Sequence, residues 1–449
     1  MVARNILPQV ETAMVHLWGA VVGAVAWDPD RELATFEFDR DFLDRDLDLA
    51  PLQMPLAAAR RGNARFSFRQ LPRPTFHGLP GLLADSLPDN FGNSIINTWL
   101  ARQGRTPASF SPVERLCYTG SRAMGALEFR PAVQEAFAES VSIEVADLVR
   151  LAQVVAGQRA ELAADLSADL TDGLADGTTD ALLDIIRVGT SAGGGRPKAV
   201  IALNDATGEV RSGQVAAPAG FSHWLLKFDG VHDYQLGAPA GYGRIEYAYH
   251  LMATACGIDM AECRLLPEGD RAHFLTRRFD RPEGRGKQHL QSLCALGHFD
   301  FNEPAMWSYE QAFQVMRELR LPYPDAEQQY RRLVFNVVAR NQDDHTKNIA
   351  FLMDQDGQWR LSPAFDVTYA YNPGGAWTAR HQMSINGKRE GIEPADLWAV
   401  ADEMNIRQSR DLVAEVLAAV RQWPEFAARA EVAEETATRL GETFRIYDL

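Results

Sequence analysis

The segment from Asn341 to Ala370, NQDDHTKNIAFLMDQDGQWRLSPAFDVTYA, sets acidic and amide side chains in an order that suits phosphoryl transfer. Such a transfer needs one carboxylate to hold the attacking hydroxyl and accept its proton. It also needs an amide oxygen and a second carboxylate to hold Mg2+ against the β- and γ-phosphates of a nucleotide. Asp343 and Asn348 stand five positions apart, followed by an apolar run, a turn at Asp354 to Gly357, a second run and then Asp366. Asp343 is therefore the candidate proton acceptor, favoured over Asp344 by its spacing to Asn348. Asn348 and Asp366 are the candidate Mg2+ ligands. Singly, each is also an ordinary turn residue, because Asp and Asn are common where a chain reverses. The combination carries the chemistry.

Protein kinases use this spacing, an Asp with an Asn five residues on and a second Asp after a short hairpin. Two further segments fit it. In VGTSAGGGRPKAVIALND, Val188 to Asp205, three successive glycines precede a β run, so the backbone can approach an anion and its N–H groups can cradle phosphate. The G-x-x-x-x-G-K-[ST] loop is absent. Alone, such a stretch is also consistent with a plain flexible loop, and Ser191 with a turn hydroxyl. In FSHWLLKFDG, Phe221 to Gly230, Lys227 sits among apolar residues and needs an anionic partner if buried. That partner is a nucleotide phosphate, assisted by a helix carboxylate, or else the lysine lies on an edge strand facing solvent. Glu246, at the start of the next helical stretch, is either that carboxylate or an exposed first-turn glutamate.

The elements that must position these residues follow from the patterning. Ala13 to Phe38 alternates in two runs, VHLWGAVVGAVAW and LATFEF, separated by Asp28-Pro29-Asp30, which predicts a β-hairpin or meander. Ile95, Ile96, Trp99 and Leu100 recur at helical spacing before Gly104. A first small α+β module is thus expected over 1–131, and an acidic, alanine-rich helical connector over 132–188. From Gly189 to Leu266 strands, a glycine loop and a helix alternate, whereas beyond Gln291 the pattern is mainly helical with one strand-turn-strand exception. The expected fold class is α+β, with a β-rich small lobe and hinge over 189–281 and an α-helical large lobe over 282–449, the two-lobed protein-kinase-like arrangement.

Composition narrows the function classes. The 449 residues are 46% hydrophobic and 23% charged, ordinary for a globular chain of two or three domains. A formal charge of −15 gives no overall attraction for nucleic acid, although Arg60, Arg61, Arg65, Arg69 and Arg73 leave a local basic patch open. Four scattered cysteines without a C-x-x-C pair argue against zinc and fit a reducing compartment. The N-terminal apolar stretch, interrupted by Glu11 and His16, reads as a buried strand and not as a signal peptide. No run of about eighteen apolar residues occurs, so a cytoplasmic protein that does not span the membrane is expected.

Taken together, SLPDNFGNSIINTWL, YTGSRAMGALEF, SAGGGRPKAVI, HWLLKF, FLTRRFDR, DDHTKN and SPAFDV resemble the HipA family of bacterial toxin kinases over nearly the full length, in the same order. The resemblance implies a serine/threonine kinase that uses ATP and Mg2+. It implies that Ser191 is autophosphorylated, which expels the glycine-rich loop and inactivates the enzyme. Ala192, Gly193, Gly194, Gly195, Arg196, Pro197 and Lys198 then cover the ATP phosphates, and Lys227 contacts them. Arg277, Arg278 and Phe279 form the linker whose backbone meets the adenine. Asp343 is the catalytic base, Asn348 and Asp366 hold Mg2+, and His345 and Lys347 lie beside the phosphates. The resemblance also implies a HipB-like helix-turn-helix antitoxin, through which alone DNA is reached, and a protein substrate such as an aminoacyl-tRNA synthetase. A catalytically weak nucleotide-binding partner of an antitoxin and a small-molecule kinase are the alternatives.

Overall fold

Alternating apolar residues in the first segment build an antiparallel sheet with one buried face. In the computed structural model, strand β1 (Thr12–Leu17) pairs with β2 (Ala20–Asp28), β2 with β3 (Leu33–Phe38), β3 with β4 (Arg65–Phe66), and β1 also with β5 (Leu127–Arg130). The structure describes residues 9–131 apart from 90, 91, 95, 98, 99 and 101–103. It also describes 144–153 apart from 147, 150 and 151, then 197–231 apart from 214–216, and 241–449. The run VHLWGAVVGAVAW, expected as one strand, is two. Trp18 (φ 49) and Gly19 (φ 82) reverse the chain between them, the paired positive φ of a tight hairpin turn. Tryptophan is a poor turn signal, which hid this reversal; its indole instead donates to Lys287 O at 2.7 Å.

The second sheet has the order β7-β6-β8-β10-β9, all antiparallel, from β6 (Lys198–Asn204), β7 (Val210–Ser212), β8 (Phe221–Lys227), β9 (Cys263–Glu268) and β10 (Arg271–Arg277). Period-two alternation in β8 buries Ser222, Trp224 and Leu226 on one face and leaves Leu225 and Lys227 on the other. Helix Tyr242–Ala255 crosses this sheet so closely that a Cβ on Gly243 would lie 2.1 Å from Ala272 O. Only glycine permits that approach. The same helix buries Ile245, Ala248, Tyr249 and Met252 in the core of the helical lobe, where Tyr249 Oη donates to Ala339 O at 2.5 Å.

A third sheet, β11 (His289–Ser292), β12 (Ala350–Met353) and β13 (Trp359–Leu361), floors the helical lobe. The expected strand-turn-strand is β12 and β13; β11 is an addition that the mainly helical pattern beyond Gln291 concealed. Helices Tyr309–Glu318, Tyr323–Val338, Pro394–Met404, Ser409–Val420, Trp423–Arg429 and Glu434–Gly441 supply the rest of the lobe's core. The fold is α+β, with a β-rich small lobe, a helical large lobe and an N-terminal α+β module.

That N-terminal module is built into the large lobe and shares its core with Cys294 and Met353. Gln291 donates to Leu49 O at 3.2 Å and Gln53 to Gly297 O at 3.1 Å. Helix Gly81–Ala84 rests on helix Leu293–Gly297, where a Cβ on Gly81 would lie 2.3 Å from Ala295 O. Within the arginine-rich stretch, Arg60, Arg65 and Arg73 are held by Leu43 O, Glu37 and Arg31 O of their own module. Among the described residues no helix is long and apolar enough to cross a membrane, and no group of three or more His, Cys, Asp or Glu side chains is placed to hold a metal. The four cysteines are buried and unpaired.

Candidate active site

A cleft of about 900 Å³, its open mouth included, lies between the small-lobe sheet and the β11–β12 floor. Leu225, Thr276, Phe279, Leu290, Ala350 and Phe365 give it an apolar wall, and Lys198, Lys227, Lys347, Asn348 and Asp366 a polar end. Arg277 and Arg278 complete the lining at the junction of the lobes.

Lys227 is the centre of the polar end. It sits on β8, an interior strand of the sheet, so the solvent-facing edge reading does not hold. Its ammonium donates to Glu246 Oε1 at 2.5 Å and to Asp366 Oδ1. Glu246 is 3% exposed, and its pairing settles the choice left open by the sequence in favour of the helix carboxylate. Burial opposes the charge on Lys227, but Asp366 and Glu246 outweigh it and hold the ammonium's pKa above its ordinary value. Burial likewise opposes ionisation of Asp366, and Lys227, then Lys198, overcome it and hold that carboxyl below the usual range. Asp366 has a positive φ of 54°, a backbone state seen at sites where geometry is imposed by function.

Lys198 and Lys227 are direct cross-strand neighbours in the β6–β8 register. Like charges placed so cost stability unless anions answer them. Within the chain those anions are Asp366 and Glu246 on Lys227, and Asp89 of the N-terminal module, 3.5 Å from Lys198. Burial pushes the Asp89 carboxyl up and Lys198 pulls it back without cancelling the effect.

The catalytic-loop candidates divide sharply. Asp344 is buried and saturated: it accepts from Tyr309 Oη at 2.8 Å, His381 Nδ1 at 2.7 Å and Gln382 N at 2.7 Å. Asp343 is 37% exposed at its side chain, takes the Trp377 indole N–H at 2.6 Å, and has His345 Nε2 at 3.8 Å. Asn348 donates its amide to Asp343 O at 2.9 Å, which ties the two candidates together and leaves the Asn348 side-chain oxygen for a cation. Lys347 lies over the Phe301 ring at 5.0 Å. Asp344, His345, Asn348 and Asp366 also line a smaller pocket of about 370 Å³ behind the cleft.

At the lobe junction the N–H groups of Arg277 and Arg278 are bonded to Glu262 O at 2.8 Å and His223 O at 2.9 Å. Phe279 is the linker residue whose N–H has no partner among the described residues. The side chains turn elsewhere: Arg277 to Glu262 and Glu283, and Arg278 to Asp280, which also holds Arg281 and takes the Gly125 N–H at 2.7 Å. Arg278 and Arg281 then outweigh the burial that opposes ionisation of Asp280 and hold its carboxyl below the usual range.

The structure thus gathers Lys198, Lys227, Arg277, Arg278, Phe279, Lys347, Asn348 and Asp366 around one cleft; His345 lines the smaller pocket behind it, and Asp343 lines neither but is joined to Asn348 through its carbonyl. Pro197 is described only through its carbonyl, which takes the Phe228 N–H at 3.2 Å. Ser191, Ala192, Gly193, Gly194, Gly195 and Arg196 lie outside the described residues. Sequence reasoning missed Asp85 and Met124, which the N-terminal module contributes to the cleft wall, and Trp377. Asp85 holds Ser292 through its N–H at 2.7 Å and Oγ at 2.9 Å. The side chains present could take Mg·ATP: Asn348 and Asp366 offer hard oxygens, Lys198, Lys227 and Lys347 bring ammonium groups to one end of the cleft, and the apolar wall leaves room for a base.

Two family models match the sequence, a HipA N-terminal domain over residues 13–130 and a HipA-like C-terminal domain over 190–424. The chain belongs to the HipA family. No curated protein sequence matches this HipA-family chain. Among solved structures, HipA of the Shewanella oneidensis MR-1 toxin-antitoxin system, in complex with HipB and its operator DNA, is similar at 16% identity. The match covers 96% of this chain and 94% of that one with a TM-score of 0.62, which establishes a common fold. The Helicobacter pylori proinflammatory kinase CtkA aligns over 49% of this chain and 92% of its own at 13% identity, with a TM-score of 0.30, too loose to inform the fold.

Proposed function

We propose that this HipA-family chain is an ATP- and Mg2+-dependent serine/threonine protein kinase, the toxin of a cytoplasmic toxin-antitoxin pair. The observation that carries the reading is the Lys227 ammonium held between Glu246 of the small-lobe helix and Asp366 of the large lobe. A lysine gripped from both sides of a cleft is the device kinases use to engage nucleotide phosphates. On this reading the chain is organised as an N-terminal module (1–131), a connector (132–188), a small lobe with hinge (189–281) and a large lobe (282–449).

Mg·ATP, when bound, supplies the phosphoryl group and the cation that shields its charge. Asn348 and Asp366 hold the metal. Lys198, Lys227 and Lys347 would answer the phosphate charge, and Ala192 to Lys198 and His345 are the residues the family resemblance assigns to the phosphates. The Phe279 N–H, without a partner among the described residues, is the hinge donor for the base. Asp343 would hold the hydroxyl of the incoming serine or threonine and take up its proton, while Asp344, saturated by three donors, keeps the loop in place. Ser191 is the expected site of autophosphorylation.

A HipB-like helix-turn-helix antitoxin is the expected partner, with DNA reached through it; the Shewanella complex supports that expectation. The substrate class is a translation component such as an aminoacyl-tRNA synthetase, so that phosphorylation stalls growth.

The test is incubation of the purified chain with ATP and Mg2+, with phosphate mapped by mass spectrometry beside Asp343→Ala and Asp366→Ala. Phosphate on Ser191 in the parent and none in either variant is expected. Labelling unchanged from the parent in both variants removes the centre described above.

A further inference from the structure

Trp377 belongs to the segment that follows Asp366, beyond the turn at Asn372 to Gly375, yet its side chain comes back to the catalytic loop. Its indole Nε1–H donates to Asp343 Oδ1 at 2.6 Å. We propose that Trp377 is a positioning residue for phosphoryl transfer: its indole N–H fastens one oxygen of Asp343 and so presents the other to the hydroxyl of the protein substrate. The inference rests on the kinase reading above.

Three observations carry it. An indole N–H is a donor only, so its partner must be an acceptor, and an ionised carboxylate makes the bond short and directional. Asp343 Oδ1 is the oxygen taken, and His345 Nε2 stands 3.8 Å from the same atom. Oδ2 receives no donor from the described residues, on a side chain open enough to meet a second protein.

Trp377 is itself held in register with the loop it serves. Its carbonyl accepts from Gln382 Nε2 at 2.5 Å, and the Gln382 N–H donates at 2.7 Å to Asp344, the neighbour of Asp343. His381 Nδ1 grips the same Asp344 carboxylate at 2.7 Å. Carboxylate and indole are therefore set by one buried link, and the His345 ring, 6.4 Å from the indole, closes the other side. A tryptophan that merely filled space would not need its N–H aimed at the one carboxylate of the loop left partly exposed.

The experiment compares the full-length parent with Trp377→Phe and Asp343→Ala. Trp377→Phe keeps an aromatic ring and removes the donor. It is expected to lower kcat about 10- to 100-fold, the range for losing a hydrogen bond to a charged group, with KM for ATP unchanged. A binding readout stands apart from turnover: the indole N–H resonance that Trp377→Phe deletes should move upfield in Asp343→Ala. Full kcat in Trp377→Phe, or an indole resonance indifferent to Asp343→Ala, overturns the proposal and leaves the kinase reading standing. Phosphotransfer that survives in Asp343→Ala overturns the kinase reading itself.

Discussion

Replacing Lys227 by Met removes a charge and keeps most of the side chain's length, so its effect on the fold can be worked out from the surroundings. Glu246 is 4% and Asp366 25% exposed at the side chain, and both face the ammonium. Losing the cation leaves two carboxylates opposed in a cleft that solvent only partly reaches. Breaking a buried pair in this way costs about 3–5 kcal/mol, and the partial exposure of Asp366 brings the expectation to about 2–4 kcal/mol. A second change, Glu246→Gln, then takes away one of the two stranded charges. The double variant Lys227→Met/Glu246→Gln should recover roughly half of the loss, about 1–2 kcal/mol, while remaining unable to bind nucleotide. Equilibrium urea denaturation followed by far-UV circular dichroism reads the stabilities, and calorimetric titration reads the binding. A Lys227→Met protein as stable as the parent, or a double variant no more stable than the single one, would refute the reasoning, because either result means the carboxylates were never paired with Lys227.

The adjacent aspartates should behave oppositely: Asp344→Ala strands three donors and is expected to cost about 3 kcal/mol or more in denaturation, whereas Asp343→Ala should cost under about 1 kcal/mol and abolish phosphotransfer. Gly243→Ala places a Cβ 2.1 Å from Ala272 O, so the Glu246 helix must back away from β10. A loss of about 1–3 kcal/mol and a raised KM for ATP are expected, measured by denaturation and steady-state kinetics. For pH dependence, burial lowers the pKa of His298 from 6.5 to about 4, and its Nε2 accepts the Gly81 N–H at 3.0 Å. Between those values the unfolded chain takes up the proton and the folded one does not. The contribution is therefore complete above pH 6.5 and is lost as pH falls towards 4. His298→Asn should flatten that part of a stability-versus-pH curve, and an unchanged slope would count against the neutral, accepting ring.

Much of the candidate site could be read locally because the phosphoryl-transfer reading looks for fixed residue types within short stretches. Asp343, Asn348 and Asp366 fall in one segment, and the spacing to Asn348 favoured Asp343 over Asp344. The structure gives a physical reason for that choice, since Asp344 spends its oxygens on Tyr309, His381 and Gln382. Lys227 was ambiguous because a strand lysine looks alike on an edge or in a cleft, and only the sheet order, with β8 inside it, separates the two. The contributions of Asp85, Asp89 and Met124 were hidden for a different reason. They come from a module far away in sequence, and what brings them to the cleft is docking through contacts such as Gly81 on Ala295, which no local pattern encodes. The hairpin at Trp18 and Gly19 was missed because a tryptophan at positive φ contradicts turn statistics; its indole bond to Lys287 O is a long-range contact of the same kind.

On the proposed function, Mg·ATP enters the cleft by parting the Lys227–Asp366 pair, with the metal on Asn348 and Asp366 and the base at Phe279. A crystal structure with Mg2+ and a non-hydrolysable ATP analogue is the decisive experiment. The analogue is expected in this cleft, with Lys227 transferred to its phosphates, Glu246 still attached to Lys227, and the cation bound by Asn348 and Asp366. An analogue bound elsewhere, or in the cleft with Lys227 still joined to Asp366 and no metal on Asn348, would contradict that reading.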